Sequence, residues 1–275
     1  MTELYEDQFS ERHNFPEVER PQRTLVIAST PRCGSHMLGH TLLKTGCFGA
    51  PFEYLNDLNF QKWQQILNTT GFDDTLDAIK SKRTGANGIF SIKIHYNQTG
   101  AFKNLQAFRN VFPNPYFVKL ERRDLLAQAV SYAKARQTGV WIKGQKPHGK
   151  EETYNKDQIE ECLRSIVCGR AGWDYDLAKI DAPVMTICFE DMVENISREV
   201  ERLATFLNVT IPDPVKPTAP ATQKQSKPQK NTWEKVFLQE NNNKRFEIYS
   251  SKKINLEFIQ SKVKNKIGNF ASRLK

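Results

Sequence analysis

The sequence contains no run of about 20 apolar residues, which is the length that a membrane-spanning helix needs. Residues 1–22 are polar and lack the apolar stretch of a secretory signal. From these two absences we expect a cytoplasmic protein. The chain has 275 residues and is 39% hydrophobic, which allows a sizeable core in one large domain or in one domain with appendages.

Paired cysteines are also missing. The five cysteines are scattered and show no C-x-x-C pair, which argues against a disulfide framework and a structural zinc site (Cys33, Cys47, Cys162, Cys168 and Cys188). His36 and His40 have a helical spacing that could suit a metal, but no third ligand accompanies them. We therefore expect no metal, and we predict that these two rings face solvent and core.

A third absence concerns residues 25–42, LVIASTPRCGSHMLGHTL, where an apolar strand pattern turns through Pro, Cys and Gly into a helix pattern. A strand, a loop and a helix in this order direct backbone N–H groups toward an anion. A Walker A loop would place Lys after its last glycine, but Ser35 follows Gly34. A small-molecule kinase of related fold is therefore the weaker alternative.

Cys33 does not fit a cysteine phosphatase either. Such an enzyme needs an Arg six residues after the nucleophile, and position 39 is Gly. The remaining interpretation is an anion-binding loop whose charge comes from Arg32, with hydroxyl groups as further donors (Ser29, Thr30 and Ser35).

Strand-like and helix-like segments alternate along the chain. Apolar or alternating patterns predict strands over residues 24–29, 89–95, 116–121 and 182–190. Amphipathic patterns predict helices over residues 34–45, 124–137, 156–179 and 191–209. The alternation predicts an α/β fold with a central parallel sheet covered by helices.

Five motifs, in the same order along the chain, resemble those of the sulfotransferases that use 3′-phosphoadenosine-5′-phosphosulfate (PAPS), and among them the bacterial trehalose 2-sulfotransferase-like family. RCGSHML at residues 32–38 is similar to the loop that binds the 5′-phosphosulfate. GAPFEYL at 49–55 and KIHYNQT at 93–99 resemble the next two family segments. RRDLLAQAVS at 122–131 resembles the 3′-phosphate segment, and KQSKPQKNTWEKVF at 224–237 resembles the segment that closes over the nucleotide.

The resemblance implies a P-loop-NTPase-like three-layer sandwich. It also implies in-line transfer of a sulfuryl group from PAPS to a hydroxyl of a carbohydrate or glycolipid, without a metal. The catalytic positions that it implies are Glu53 as general base, Lys93 at the bridging oxygen, and Arg32. The donor-binding positions that it implies are Arg32, Cys33, Gly34, Ser35, His36, Arg122, Ser131, Lys224, Gln225 and Lys227. His36 stands where the family usually has a hydroxyl side chain.

Positive charge is concentrated at the C-terminus. Residues 216–275 contain 14 Lys or Arg and 4 Glu, a net charge of +10, whereas the whole chain carries +9. We predict a polar N-terminal segment (1–22), a sulfotransferase domain (23–240) and a basic amphipathic extension (241–275). The extension could contact an acidic membrane surface, and a nucleic-acid or acidic-membrane binding module is the alternative from another class.

For the enzyme we expect a small-molecule or glycolipid acceptor and no nucleic acid as a partner. Whether it forms a homodimer is left open.

Overall fold

A parallel sheet forms the centre of the protein. The structure, a computed structural model, describes residues 5–142, 145–147, 149, 151–212, 232–242, 245, 246 and 248. In that part of the chain, four strands are hydrogen-bonded in the order β2-β1-β3-β4, and every neighbouring pair is parallel. They are β1 (Arg23–Ser29), β2 (Ile89–His95), β3 (Pro115–Glu121) and β4 (Val184–Cys188).

The strand predictions hold, but β4 is shorter than residues 182–190 because a helix starts at Phe189. The chain divides into two compact units, Met1–Val236 and Phe237–Lys275, and the sheet belongs to the first.

The helices within the described residues follow the predicted alternation. The long predicted helix over residues 191–209 is in fact two helices. Asn195 leaves the helical conformation, with φ −153°, and its side chain accepts a hydrogen bond of 3.0 Å from the Arg198 N–H to cap the second helix. The helices are α1 (Ser35–Thr45), α2 (Asp57–Leu67), α3 (Phe72–Arg83), α4 (Leu105–Val111), α5 (Leu125–Thr138), α6 (Lys156–Lys179), α7 (Phe189–Glu194), α8 (Ile196–Leu207) and α9 (Thr232–Glu240).

The sheet is buried on both faces, because neighbouring residues of a strand point to opposite sides. In β1, Leu25 and Ile27 belong to a core cluster with residues of α1, α7 and α8. Val26 and Ala28 belong to a second cluster with residues of α2, α3, α4 and α6. Two helical layers therefore enclose the sheet, and the predicted P-loop-NTPase-like three-layer sandwich is confirmed.

The N-terminal segment, residues 5–22, packs against this body, although its polar sequence gave no reason to expect a fixed position. Phe9 is buried, and its ring centroid lies 5.4 Å from that of Trp63 in α2. Arg83, which is fully buried at the end of α3, donates hydrogen bonds of 3.1 Å to the carbonyls of Gln8 and Ser10. A buried guanidinium thus fastens the segment to the domain.

Two glycines with positive φ bound α1, and their surroundings differ. Gly34 precedes α1 with φ +93°, and a Cβ added there would clash with the Phe189 ring. Gly46 follows α1 with φ +72°, and an added Cβ would meet nothing within 4 Å. Of these two glycines, Gly34 alone allows a close approach as well as a left-handed turn.

We expect Gly34→Ala to lower the free energy of unfolding by about 2 to 5 kcal/mol, because backbone strain and overpacking add. Gly46→Ala should cost only the strain, about 1 to 2 kcal/mol. Chemical denaturation of both variants measures the difference, and equal losses would show that the approach to Phe189 is not tight.

Candidate active site

The carboxyl ends of the four parallel strands meet at one edge of the sheet. After β1 the chain continues to β2 on one side, and after β3 it continues to β4 on the other side. The crevice at the carboxyl ends of β1 and β3 is therefore a topological switch point, where open α/β sheets bind their ligands. Arg32 follows β1 and Arg122 follows β3, so this crevice carries two of the predicted donor-binding arginines.

The loop between β1 and α1 is held from α5. Gln128, which is fully buried, donates hydrogen bonds to the Thr30 hydroxyl at 3.0 Å and to the Pro31 carbonyl at 2.7 Å. Arg32 has φ +66°, whereas the other described non-glycine residues with positive φ are asparagines, which tolerate that conformation (Asn68, Asn114 and Asn208). A strained backbone at an anion loop is typical of functional sites.

Arg32 and Arg122 bring two positive charges into a crevice in which both side chains are partly buried. Arg32 donates from Nε to the Ser131 hydroxyl at 3.0 Å and from a terminal nitrogen to the Trp141 carbonyl. Burial and the charge of Arg122 lower the pKa of Arg32 to about 10. Burial also lowers the pKa of Arg122, whose Nε has no hydrogen-bond partner among the described residues. The guanidinium of Arg122 stacks 4.9 Å from the Phe189 ring centroid.

A donor with no partner among the described residues, next to a second partly buried arginine, fits an anionic group, because an anion would supply the missing partner and relieve the repulsion between like charges.

Glu53 and Lys93 form an ion pair beside this crevice. The Lys93 ammonium lies 2.7 Å from Glu53 Oε2, and the Gln98 side chain donates to Glu53 Oε1 at 2.7 Å. His95 Nε2 is 3.5 Å from Glu53 Oε2, and its Nδ1 lies 2.9 Å from the Ser29 hydroxyl. The site therefore places a carboxylate, an ammonium and an imidazole at the ends of β1 and β2.

The charge states of this group follow from burial and from its neighbours. Burial alone would raise the pKa of Glu53, but Lys93, His95 and Gln98 outweigh it and lower the pKa to about 2. Burial lowers the pKa of His95 to about 4, so the imidazole is neutral at pH 7. Glu53 is thus fully ionised, but as an ion-paired carboxylate it is a weak base.

The residues of the first motif lie between the end of β1 and the first turn of α1. Cys33 is fully buried, and burial raises the pKa of its thiol. Ser35 begins α1 directly after Gly34. His36 and His40 do not divide between solvent and core as predicted; their ring centroids are 4.2 Å apart on one side of α1. Lys224, Gln225 and Lys227 lie outside the described residues.

Sequence reasoning gave no role to several residues that shape the site. Gln98 and Gln128 both lie inside recognised motifs, NQT and QAVS, so the motifs contained the signal. Phe189, which contacts Arg122 and limits space at Gly34, lies in a segment that the sequence analysis left without a role in the site. Trp173 donates to the Ser29 carbonyl at 2.9 Å and is a buried packing residue.

Comparison with known proteins decides the family. Residues 24–240 match the family model described as Stf0 sulphotransferase. The chain belongs to this family. It is a sulfotransferase, as the motifs implied, and the kinase alternative is wrong.

Two curated relatives and a solved structure are similar to this chain. Trehalose 2-sulfotransferase of Mycobacterium tuberculosis is 25% identical over 78% of this chain and 94% of its own length. The enzyme of the same name from Mycolicibacterium smegmatis is 24% identical over the same shares. A crystal structure of a sulfotransferase from Alicyclobacillus acidocaldarius aligns with a TM-score of 0.49 and 12% identity, over 81% of this chain and 93% of that one.

Neither a membrane span nor a metal cluster occurs in the described part of this sulfotransferase. No described helix is both long and apolar enough to cross a bilayer. No three His, Cys, Asp or Glu side chains of the described residues are grouped so that they could hold a metal ion.

The Glu53–Lys93 ion pair predicts a specific pH dependence of stability. The pKa of Glu53 lies at about 2 in the fold against an ordinary 4.5, so its stabilising effect is complete above pH 4.5 and is lost as the pH falls toward 2. We expect Glu53→Gln to lower the free energy of unfolding by about 3 kcal/mol at pH 7 and by progressively less below pH 4.5.

Denaturation of parent and variant from pH 7 to pH 3 measures this difference. Lys93→Met and the double variant are the matched controls, because the double variant leaves no unpaired buried charge. A difference between parent and Glu53→Gln that does not change with pH would contradict the low pKa of Glu53.

Proposed function

We propose that this sulfotransferase moves a sulfuryl group from PAPS to a hydroxyl of a carbohydrate or glycolipid, with Glu53 as the general base. The observation that carries the proposal is the Lys93–Glu53 ion pair, which lies at the end of β2 beside the loop that contains Arg32. The ammonium of the pair would stabilise the leaving oxygen, and the carboxylate would take up the proton of the acceptor hydroxyl.

The donor would lie over the β1–α1 loop. When bound, PAPS supplies a sulfuryl group that is activated by its link to phosphate. Arg32 and the backbone amides of residues 33–36 would hold the 5′-phosphosulfate, with the hydroxyl of Ser35 as a further donor. Arg122 and Ser131 would hold the 3′-phosphate, and the unpartnered Nε of Arg122 supports that role. Lys224, Gln225 and Lys227 remain predicted ligands of the same phosphate.

Lys93 would interact with two different groups in this mechanism. In the structure it neutralises Glu53, but in the reaction its ammonium would stabilise charge that develops on the oxygen between sulfur and phosphorus. Lys93 cannot bind both groups at full strength. We infer that donor binding draws Lys93 away from Glu53, which removes the main cause of the low pKa and makes the carboxylate a stronger base.

The proposed transfer conserves atoms and charge. The acceptor oxygen forms a bond to sulfur while the bond from sulfur to the 5′-phosphate oxygen breaks in line. The hydroxyl proton passes to Glu53, and the negative charge that remains on the phosphate is held by Lys93 and Arg32. Gln98 keeps its hydrogen bond to Glu53 and so fixes the carboxylate during proton transfer.

The acceptor class rests on the trehalose 2-sulfotransferases that the chain resembles. Trehalose itself is not carried over, because the segments between residues 55 and 88 resemble the family too little to transfer a substrate. The alternative of a nucleic-acid or membrane module rests on residues 241–275, most of which lie outside the described residues. Three further points also stay predictions: contact with a membrane surface, a homodimer and the three-part division of the chain.

Thermal shift tests the donor. We expect 3′-phosphoadenosine-5′-phosphate (PAP) to stabilise the protein by about 2.7 kcal/mol at 100 times its dissociation constant, with no added metal and with EDTA present. A requirement for Mg²⁺, or a preference for Mg-ATP, would reject the proposed donor and its metal-free binding.

Two adjacent arginines give the matched variants for the same measurement. Arg122→Ala should weaken PAP by about 10- to 150-fold, the equivalent of a lost charge-assisted hydrogen bond of about 1.5 to 3 kcal/mol. Arg123→Ala should change little, because Arg123 is exposed and pairs with Asp191. Adenosine 5′-phosphosulfate lacks the 3′-phosphate and should be insensitive to both changes; equal weakening of both nucleotides by Arg122→Ala would mean that Arg122 supports the fold.

A further inference from the structure

Three rings meet at the start of α1. The ring centroid of Tyr5 lies 4.9 Å from that of His36 and 5.4 Å from that of His40, in edge-to-face geometry. Nε2 of His40 is buried and has no hydrogen-bond partner among the described residues. The N-terminal segment therefore brings an aromatic ring to two imidazoles, one of which has an unused polar atom.

This cluster adjoins the proposed chemical centre. Phe52, the residue before Glu53, lies 6.4 Å from Tyr5 and 5.7 Å from His40 between ring centroids. The backbone carbonyl of Phe52 accepts a hydrogen bond of 2.9 Å from the backbone N–H of Lys93. Burial and the charge of Lys93 lower the pKa of His36 to about 2, so its imidazole is neutral. The cluster therefore lies on the Glu53 side of the site, whereas Arg122 lies on the β3 side.

The ring of Tyr5 is held in place. Its hydroxyl donates to Asp7 at 2.7 Å, and Asp7 is also paired with Arg12. Arg83 fixes the following residues through the carbonyls of Gln8 and Ser10. Because the hydroxyl is already used within the segment, Tyr5 offers its ring and not its hydroxyl to a ligand.

We infer that Tyr5, together with His36 and His40, forms one wall of the acceptor site and binds a neutral sugar ring. The inference rests on the proposed function, because in-line transfer requires the acceptor to approach the sulfur from the side opposite the leaving phosphate. An aromatic ring packs against the C–H face of a sugar, and neutral imidazole nitrogens exchange hydrogen bonds with its hydroxyls. Tyr5 is thereby a specificity-determining residue that lies outside the matched residues 24–240.

The test measures sulfation of a panel of neutral sugars (trehalose, glucose and methyl glucoside) with PAPS as donor. Tyr5→Ala should raise the KM for the best sugar by about three- to tenfold, the equivalent of one lost aromatic contact. The dissociation constant of PAP should stay within about twofold of the parent's, because Tyr5 contacts the imidazole of His36, whereas the donor would be held by the His36 backbone amide. Tyr5→Phe keeps the ring and loses only the hydrogen bond to Asp7, so its KM should lie closer to the parent's than that of Tyr5→Ala.

Tyr175→Ala is the matched control, because Tyr175 is a 64% exposed tyrosine on α6 and should leave both constants unchanged. An unchanged KM in Tyr5→Ala would overturn the inference, and so would equal weakening of sugar and PAP, which would indicate a purely structural role. A parent that binds PAP but sulfates no neutral sugar would reject this acceptor wall, whereas a parent that does not bind PAP would reject the proposed function itself.

Discussion

Lys93 carries a positive charge into the end of a strand that is otherwise buried, and Glu53 neutralises it there. Lys93 and the residues before it in β2 are buried, so the ammonium has little access to bulk water. Glu53 comes from the segment after α1, where Phe52 forms an isolated bridge to Ile92 of β2. That bridge sets the distance between the two charges. An uncompensated charge at this depth would cost several kcal/mol, so the local fold depends on the pair.

In the proposed mechanism, the same pair makes the donor-free enzyme a resting state. A carboxylate held at a low pKa is stable but takes up protons poorly, and the structure keeps Glu53 in that condition through Lys93 and Gln98. The two arginines of the crevice are in the opposite condition, because they repel each other and Arg122 has an unused donor. An anionic donor would satisfy the arginines and compete for Lys93 at once, so binding and activation of the base would be one event.

The sequence was a good guide to elements that are determined locally. Helix α6 (Lys156–Lys179) and strand β2 (Ile89–His95) have the predicted bounds, because hydrophobic periodicity and caps specify them within a few residues. Glu53 and Lys93 were selected by resemblance, but their mutual ion pair depends on a strand bridge between residues 40 positions apart and has no local signal.

The position of the N-terminal segment escaped prediction for a related reason. Its sequence is polar, and its attachment to Arg83 through backbone carbonyls leaves no pattern in side-chain types. The break at Asn195 was missed because a single Asn is tolerated within a helix, and only its dihedral angles and its cap on α8 reveal the start of a new one.

Direct titration of Glu53 tests whether the donor takes Lys93 from its partner. The carboxyl carbon of Glu53, labelled with ¹³C and assigned by comparison with Glu53→Gln, can be followed by NMR against pH with and without PAP. We predict that PAP raises the pKa of Glu53 by roughly one to three units, the effect of losing a nearby opposite charge, and that it changes the pKa much less in Lys93→Met. A pKa that stays at its low value when PAP is bound, or that rises equally in Lys93→Met, would contradict the exchange of Lys93 between Glu53 and the donor.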